Sequence, residues 1–162
     1  MTYYDEISEG YEELHGEEQL KKIEIIKQKI KVKQTDKLLD VGCGTGLTTR
    51  CWDCKRYGID PAKRFVEAAQ KSDKKGKYFL AAAEKIPFED NFFDIVISIT
   101  AIQNFEDIEK GLREIKRVGK RKFVLSFLKK SQNMEKIERL ISSFFSPSCM
   151  VEEDKDIIFL IE

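Results

Sequence analysis

The sequence predicts an α/β fold: a doubly wound, seven-stranded sheet with helices on both faces, three layers in all, and a last strand that runs antiparallel. Three observations predict it. From about residue 38, short apolar runs alternate with amphipathic helical patterns, the order that builds a sheet with right-handed crossovers. The apolar runs are nearly continuous, as strands covered on both faces require. The final two runs are separated only by an acidic turn, so they pair as antiparallel neighbours.

Each element can be justified in order. Residues 17–32 place Leu20, Ile23, Ile26 and Ile30 at helical spacing. Leu38-Leu39-Asp40-Val41-Gly42 reads as a short buried strand, and residues 56–60 as a second that ends in Asp60. Residues 62–71 carry Phe65, Val66 and Ala69 on one helical stripe. Tyr78-Phe79-Leu80-Ala81 is the third strand, and the β-branched run 93–99 the fourth. Residues 106–118 form a helix with Ile108, Leu112, Ile115 and Val118 inward. Residues 122–128 form the fifth strand, and residues 133–145 a helix with Ile137, Leu140 and Ile141 inward. Residues 149–151 and 157–161 close the sheet. The length, 162 residues, fits a single domain: an N-terminal lid and helix over 1–35 and a core over 36–162.

Composition narrows the function. Lys and Arg total 29, Asp and Glu total 29, and the net charge is zero, which excludes overall charge as a means of gripping nucleic acid or an anionic membrane. The charged fraction of 36% fits either a heat-adapted or a very soluble protein. No apolar run approaches the ~20 residues of a membrane span. The acidic start, Met1-Thr2-Tyr3-Tyr4-Asp5-Glu6, is no secretory signal, so a cytoplasmic protein is expected. The four cysteines then read as reduced thiols. Cys51-Trp52-Asp53-Cys54 is half of a zinc site, and the lone His15 is a poor fourth ligand, so no metal is expected.

The informative segment is Leu38–Leu47. A strand runs straight into glycines at 42, 44 and 46, then into an expected short helix whose first N–H groups would face a ligand. Asp60 ends the next strand, where a carboxylate can accept from both hydroxyls of a ribose. Asp40 decides between cofactors. An acid just before the glycines repels a dinucleotide's pyrophosphate but suits an ammonium. S-adenosyl-L-methionine carries an ammonium, a sulfonium and a ribose, and no phosphate.

These residues resemble the class I S-adenosylmethionine-dependent methyltransferases of type 11, which have a Rossmann-like fold. Leu38–Gly46 is similar to their first motif, Tyr57–Pro61 to their second, and Ala83–Phe88 with Asn91–Asp94 to their adenine loop and fourth strand. The resemblance implies that Asp40, Gly42, Gly44, Gly46, Asp60, Pro61, Ala83, Glu84 and Thr100 hold the cofactor. It also implies that Tyr4 and Tyr11 cover its methionyl end as lid tyrosines. Many relatives carry an Asp or Asn for the adenine amino group where this chain has Ala82, so base recognition would fall to Ala83 and Glu84.

After the fourth strand, Ser98–Phe105 contains neither an Asn-Pro-Pro-Tyr tetrapeptide nor a cysteine nucleophile. The acceptor then needs little activation: a ring nitrogen, a hydroxyl or a thiol. Gln103 and Asn104 are candidates for holding it; equally, they could cap the next helix. Ser98–Gln103 and Phe127–Ser131 also resemble the eukaryotic rRNA guanine-N7 methyltransferases, which work with a small zinc-ribbon activator protein. The basic run Lys116, Arg117, Lys120, Arg121, Lys122 should lie away from the cofactor face, with Lys129 and Lys130 on it. Three readings remain: the catalytic subunit of an enzyme that modifies tRNA or rRNA, a free-standing small-molecule methyltransferase, or a non-catalytic cofactor-binding scaffold. The apolar third strand, expected at a sheet edge, points to a covering partner; otherwise a monomer is expected.

Overall fold

The computed structural model of the chain describes residues 3–162, with side chains from residue 15 on. A long helix, α1 (Tyr3–Lys27), leads into β1 (Lys37–Val41). It starts well before residue 17 and stops short of 32, although Ile30 beyond its end is still buried. The inward face also differs from expectation. Leu20 is 42% exposed, whereas Ile23 and Ile26 are buried as expected and are joined by Gln19 and Lys22. Those four fall at i, i+3, i+4 and i+7, one face of a helix; a buried lysine is tolerated there because it is paired.

The chain continues through β2 (Lys55–Asp60), α2 (Lys63–Ser72), β3 (Lys77–Leu80), β4 (Phe93–Ser98) and a short 3-10 turn, Ile102–Asn104. It ends with α3 (Ile108–Val118), β5 (Gly119–Leu128), α4 (Met134–Phe144), β6 (Cys149–Glu152) and β7 (Asp156–Ile161). The seven strands lie in the order β3-β2-β1-β4-β5-β7-β6. The five from β3 to β5 pair in parallel, and β7 runs antiparallel to both of its neighbours. The seven-stranded Rossmann-like sheet with a final antiparallel strand is therefore present. On one face, Ile23 and Ile26 of α1 pack with Trp52, Ile95, Ile97 and Val124. On the other, α3 and α4 bury Ile108, Leu112, Ile115, Ile137 and Ile141 against Leu39, Val96 and Leu125.

Two connections depart from the simple alternation. No α-helix forms between β1 and β2, where one was expected. Thr48 and Thr49 donate their hydroxyls to Asp40 Oδ2 at 2.7 and 2.8 Å, which pulls residues 44–54 into a series of turns over the end of β1. Hydroxyl side chains that bond elsewhere compete with helix formation. Trp52, 3% exposed, then plugs the sheet where a helix face would sit.

The second is the loop from β3 to β4, which also lacks a helix. Tyr57, Phe88, Phe92 and Phe93 fill that space with mostly edge-to-face ring pairs at 4.9–5.9 Å. Arg117 staples the loop by donating to the carbonyls of Ile86 and Phe88 and to Glu114 and Asp90. The run expected as a basic patch is thus partly structural: Lys120 pairs with Asp94, and Lys122 donates to the Lys31 carbonyl.

Candidate functional site

The carboxyl ends of β1, β2 and β4 meet above the sheet, where a strand-order reversal leaves a crevice. Gly42 leaves β1 at φ +76°, and its N–H and that of Cys43 both donate to the Ile59 carbonyl, at 2.9 and 3.0 Å. This turn is tight because Ala101 presses on it. A Cβ at Gly42 would come within 2.5 Å of the Ala101 Cβ. Gly44, at φ +56°, faces open cavity, whereas a Cβ at Gly46 would meet Tyr78 and Ala69. The three glycines therefore have separate duties: close approach, ligand face and packing.

Asp60 is oriented from both sides. Its Oδ2 accepts from Gly44 N–H at 3.0 Å and its Oδ1 from Ala62 N–H at 2.9 Å. A carboxylate has about four acceptor positions, so two backbone donors aim it toward a diol as well as hold it. Asp60, Pro61, Ala83, Glu84, Thr100 and Asn104 line a cavity of about 270 Å³ with Gly42 and Gly44. Its apolar walls are Phe65, Ala81, Ala82 and Phe105. Among the described residues, three carboxylates border it, those of Asp60, Glu84 and Glu106, and no lysine or arginine does. A smaller recess of about 20 Å³ adjoins it, sharing Gly42, Gly44 and Ile99, and α1 roofs it with His15, Gly16 and Gln19.

Not every residue singled out in the sequence reaches these spaces. Asp40 lies beneath the turn, wholly buried, and Gly46 and Gln103 line neither space. Gln103 donates to the Thr100 carbonyl at 2.9 Å, and its buried Oε1 has no partner among the described residues. The side chains of Tyr4 and Tyr11 lie outside the described residues. Phe65, Phe105 and Glu106 were not anticipated, since an apolar residue on a helix stripe reads as core and a lone acid as surface. Burial pushes the carboxyl of Asp40 up to about 6, against the pull of the Thr48 and Thr49 hydroxyls and with a push from Asp60. Burial likewise raises the thiols of Cys43, Cys51 and Cys54, the last to about 11, so none is poised as a thiolate.

An acid-bordered crevice at the end of a glycine turn fits a ligand with a ribose and positive charge, and it disfavours a phosphate. Residues 39–127 match the model of a methyltransferase domain family. The chain belongs to that methyltransferase family. S-adenosyl-L-methionine is the cofactor this membership implies, and the carboxylate lining fits it. Among curated proteins, the methyltransferase is similar to the demethylmenaquinone methyltransferase of Thermotoga maritima: 30% identical over 132 residues, 75% of this chain and 57% of that one. It spans about half the length of the curated relatives it matches.

Among solved structures, one chain of the complex between the Haloferax volcanii Trm112 methyltransferase activator and a protein assigned as a methyltransferase superposes with a TM-score of 0.85. That match has 13% identity and covers 99% of this chain and 97% of that one. A methyltransferase from Aquifex aeolicus superposes at 0.73 with 19% identity over 86% and 88% of the two chains. At these identities the likeness is one of fold. No helix among the described residues is long and apolar enough to cross a membrane.

Proposed function

We propose that the chain is the catalytic subunit of an S-adenosylmethionine-dependent RNA methyltransferase, completed by a small activator protein. When bound, the cofactor supplies an electron-poor methyl carbon on a sulfonium. The chain's own residues do the rest. Asp60, held by two backbone N–H groups, orients the ribose. Ala83 and Glu84 sit at the wall for the base. The bordering carboxylates favour positive charge in the cavity, and Asn104 at its exposed mouth can hold the acceptor in line with the methyl group.

One observation carries the partner. Edge strand β3 exposes Phe79 and Leu80, at 41% and 57%, and Phe79 stacks edge-on against Phe88 of the adjoining loop. An unprotected apolar edge invites strand addition or a hydrophobic covering. The superposition on the methyltransferase chain of an activator complex supports the same reading. Exposed Lys130, beside the cofactor face, and Arg121 are left to meet RNA phosphates.

The test replaces Phe79 with Lys and compares the complexes recovered from the native cell, together with methyl incorporation from labelled cofactor into size-fractionated cell extract. Wild type should co-purify with a small partner and label RNA, and the variant should do neither. Recovery of the same lone monomer from both would refute the partner. Label in small molecules would favour a free-standing enzyme, the reading that the likeness to a demethylmenaquinone methyltransferase supports. Cofactor binding without labelling of any fraction would leave a scaffold.

A further inference from the structure

Lys22, on the inward face of α1, is 2% exposed, and the cofactor reading gives it no task. Its ammonium lies 3.0 Å from Asp156 Oδ1, 2.7 Å from Thr100 Oγ1 and 3.2 Å from Gln19 Oε1. The ammonium thus donates to Thr100 and Gln19 and forms an ion pair with Asp156. The Thr100 hydroxyl in turn donates to Asp156 Oδ2 at 2.6 Å. Lysine, threonine and aspartate close a buried ring that joins the N-terminal helix, the loop after β4 and the start of β7.

Thr100 is the strained member. It stands at φ +56°, a region that costs a β-branched residue dearly and glycine almost nothing. Its hydroxyl is bonded twice in the ring, its N–H donates to Ser126, and its carbonyl accepts from Gln103. This backbone turn sets Ala101 against Gly42 and carries Asn104 to the cavity mouth. Gln19, bonded to the same ammonium, roofs the smaller recess. A well-packed apolar cluster would often stabilise the fold as well as a buried ion pair does. What the pair adds is a fixed relation between the helix and the loop.

We propose that Lys22 is a positioning residue that locks the helix over the small recess to the loop lining the large cavity, so that the two open and close as one unit. The proposal rests on the cofactor reading for its purpose: the lid cannot lift without releasing the loop that presents Asn104 to the acceptor.

Amide hydrogen exchange on the full chain tests it, first without ligand and then with S-adenosylhomocysteine as the probe. Ligand-free wild type should exchange residues 15–27 and 100–105 through a common opening, with the same protection and the same response to low urea. Two variants separate the link from the fold. Lys22→Met with Asp156→Leu removes both charges together, and Thr100→Gly keeps the ion pair and relieves the backbone. In each, residues 100–105 should exchange about tenfold faster or more, and the helix should lose its match to them. With the probe bound, wild type should gain protection equally in both segments, and Thr100→Gly should gain it unequally. If the double variant fails to melt cooperatively, Thr100→Gly carries the comparison alone. Independent exchange of the two segments in wild type, or unchanged matching in the variants, would overturn the proposal. Failure of wild type to bind the probe would sink the cofactor reading instead, with the ligand-free comparison still deciding the link.

Discussion

Replacing Asp40 with asparagine should stabilise the ligand-free protein at neutral and alkaline pH while weakening its hold on the cofactor. The carboxyl is wholly buried, its Oδ2 accepts two threonine hydroxyls, and its Oδ1 has no hydrogen-bond partner among the described residues. Burial lifts it from 3.8 to about 6. A carboxyl raised in the folded state favours folding in its protonated form. Its contribution is complete below the unfolded value and is lost as pH rises through the folded one. The difference between the two values corresponds to roughly 3 kcal/mol by about pH 8. Asparagine keeps an oxygen for both threonines and never ionises. The variant should therefore match wild type near pH 4 and exceed it by up to about 3 kcal/mol near pH 8. Urea denaturation of both proteins at the two pH values measures this, and the thermal shift on adding S-adenosylmethionine at pH 8 should shrink in the variant. A stability difference that ignores pH, or a variant weaker at both values, would refute the reasoning.

Two further outcomes concern the same crevice. Asp60→Ala removes the carboxylate that Gly44 and Ala62 orient, and should weaken S-adenosylmethionine binding by roughly 1.5–3 kcal/mol in calorimetry; unchanged affinity would take Asp60 out of the site. Gly44→Val sets a branched side chain on a backbone at φ +56° facing both cavities, and should abolish the ligand-induced rise in melting temperature while circular dichroism still reports the sheet. A preserved rise would show that the turn does not contact the ligand.

The central strands β1, β4, β5 and β7 were legible because their apolar runs are nearly continuous and lie where burial on two faces demands it. The glycine turn and Asp60 were legible because backbone conformation and charge leave few residue choices there. What escaped was decided by contacts between distant residues. The helix expected after Gly46 is lost to Asp40, whose claim on Thr48 and Thr49 no local pattern reveals. Arg117 looked like one member of a basic run, and only the fold shows it bracing the carbonyls of Ile86 and Phe88. In the sequence nothing separates Lys22 from its neighbour Lys21. Lys22 takes Leu20's place on the inward stripe beside Ile23 and Ile26, and Asp156 and Thr100, far along the chain, make that burial tolerable.

That long reach has a consequence for how the molecule is made. Glu18 and Lys22 of the first helix find Lys155 and Asp156 only when β7 arrives, the outer pair closing a separation of 137 residues. Contacts so distant in sequence form late, after the entropy of a large loop has been overcome. On the ribosome the glycine turn and Asp60 emerge early and can collapse with β1 and β2, but the roof over them waits for the final strand. A nascent or truncated chain lacking β7 would hold an unroofed crevice and an uncompensated lysine. Competence to retain the cofactor would then report that synthesis of the sheet is finished.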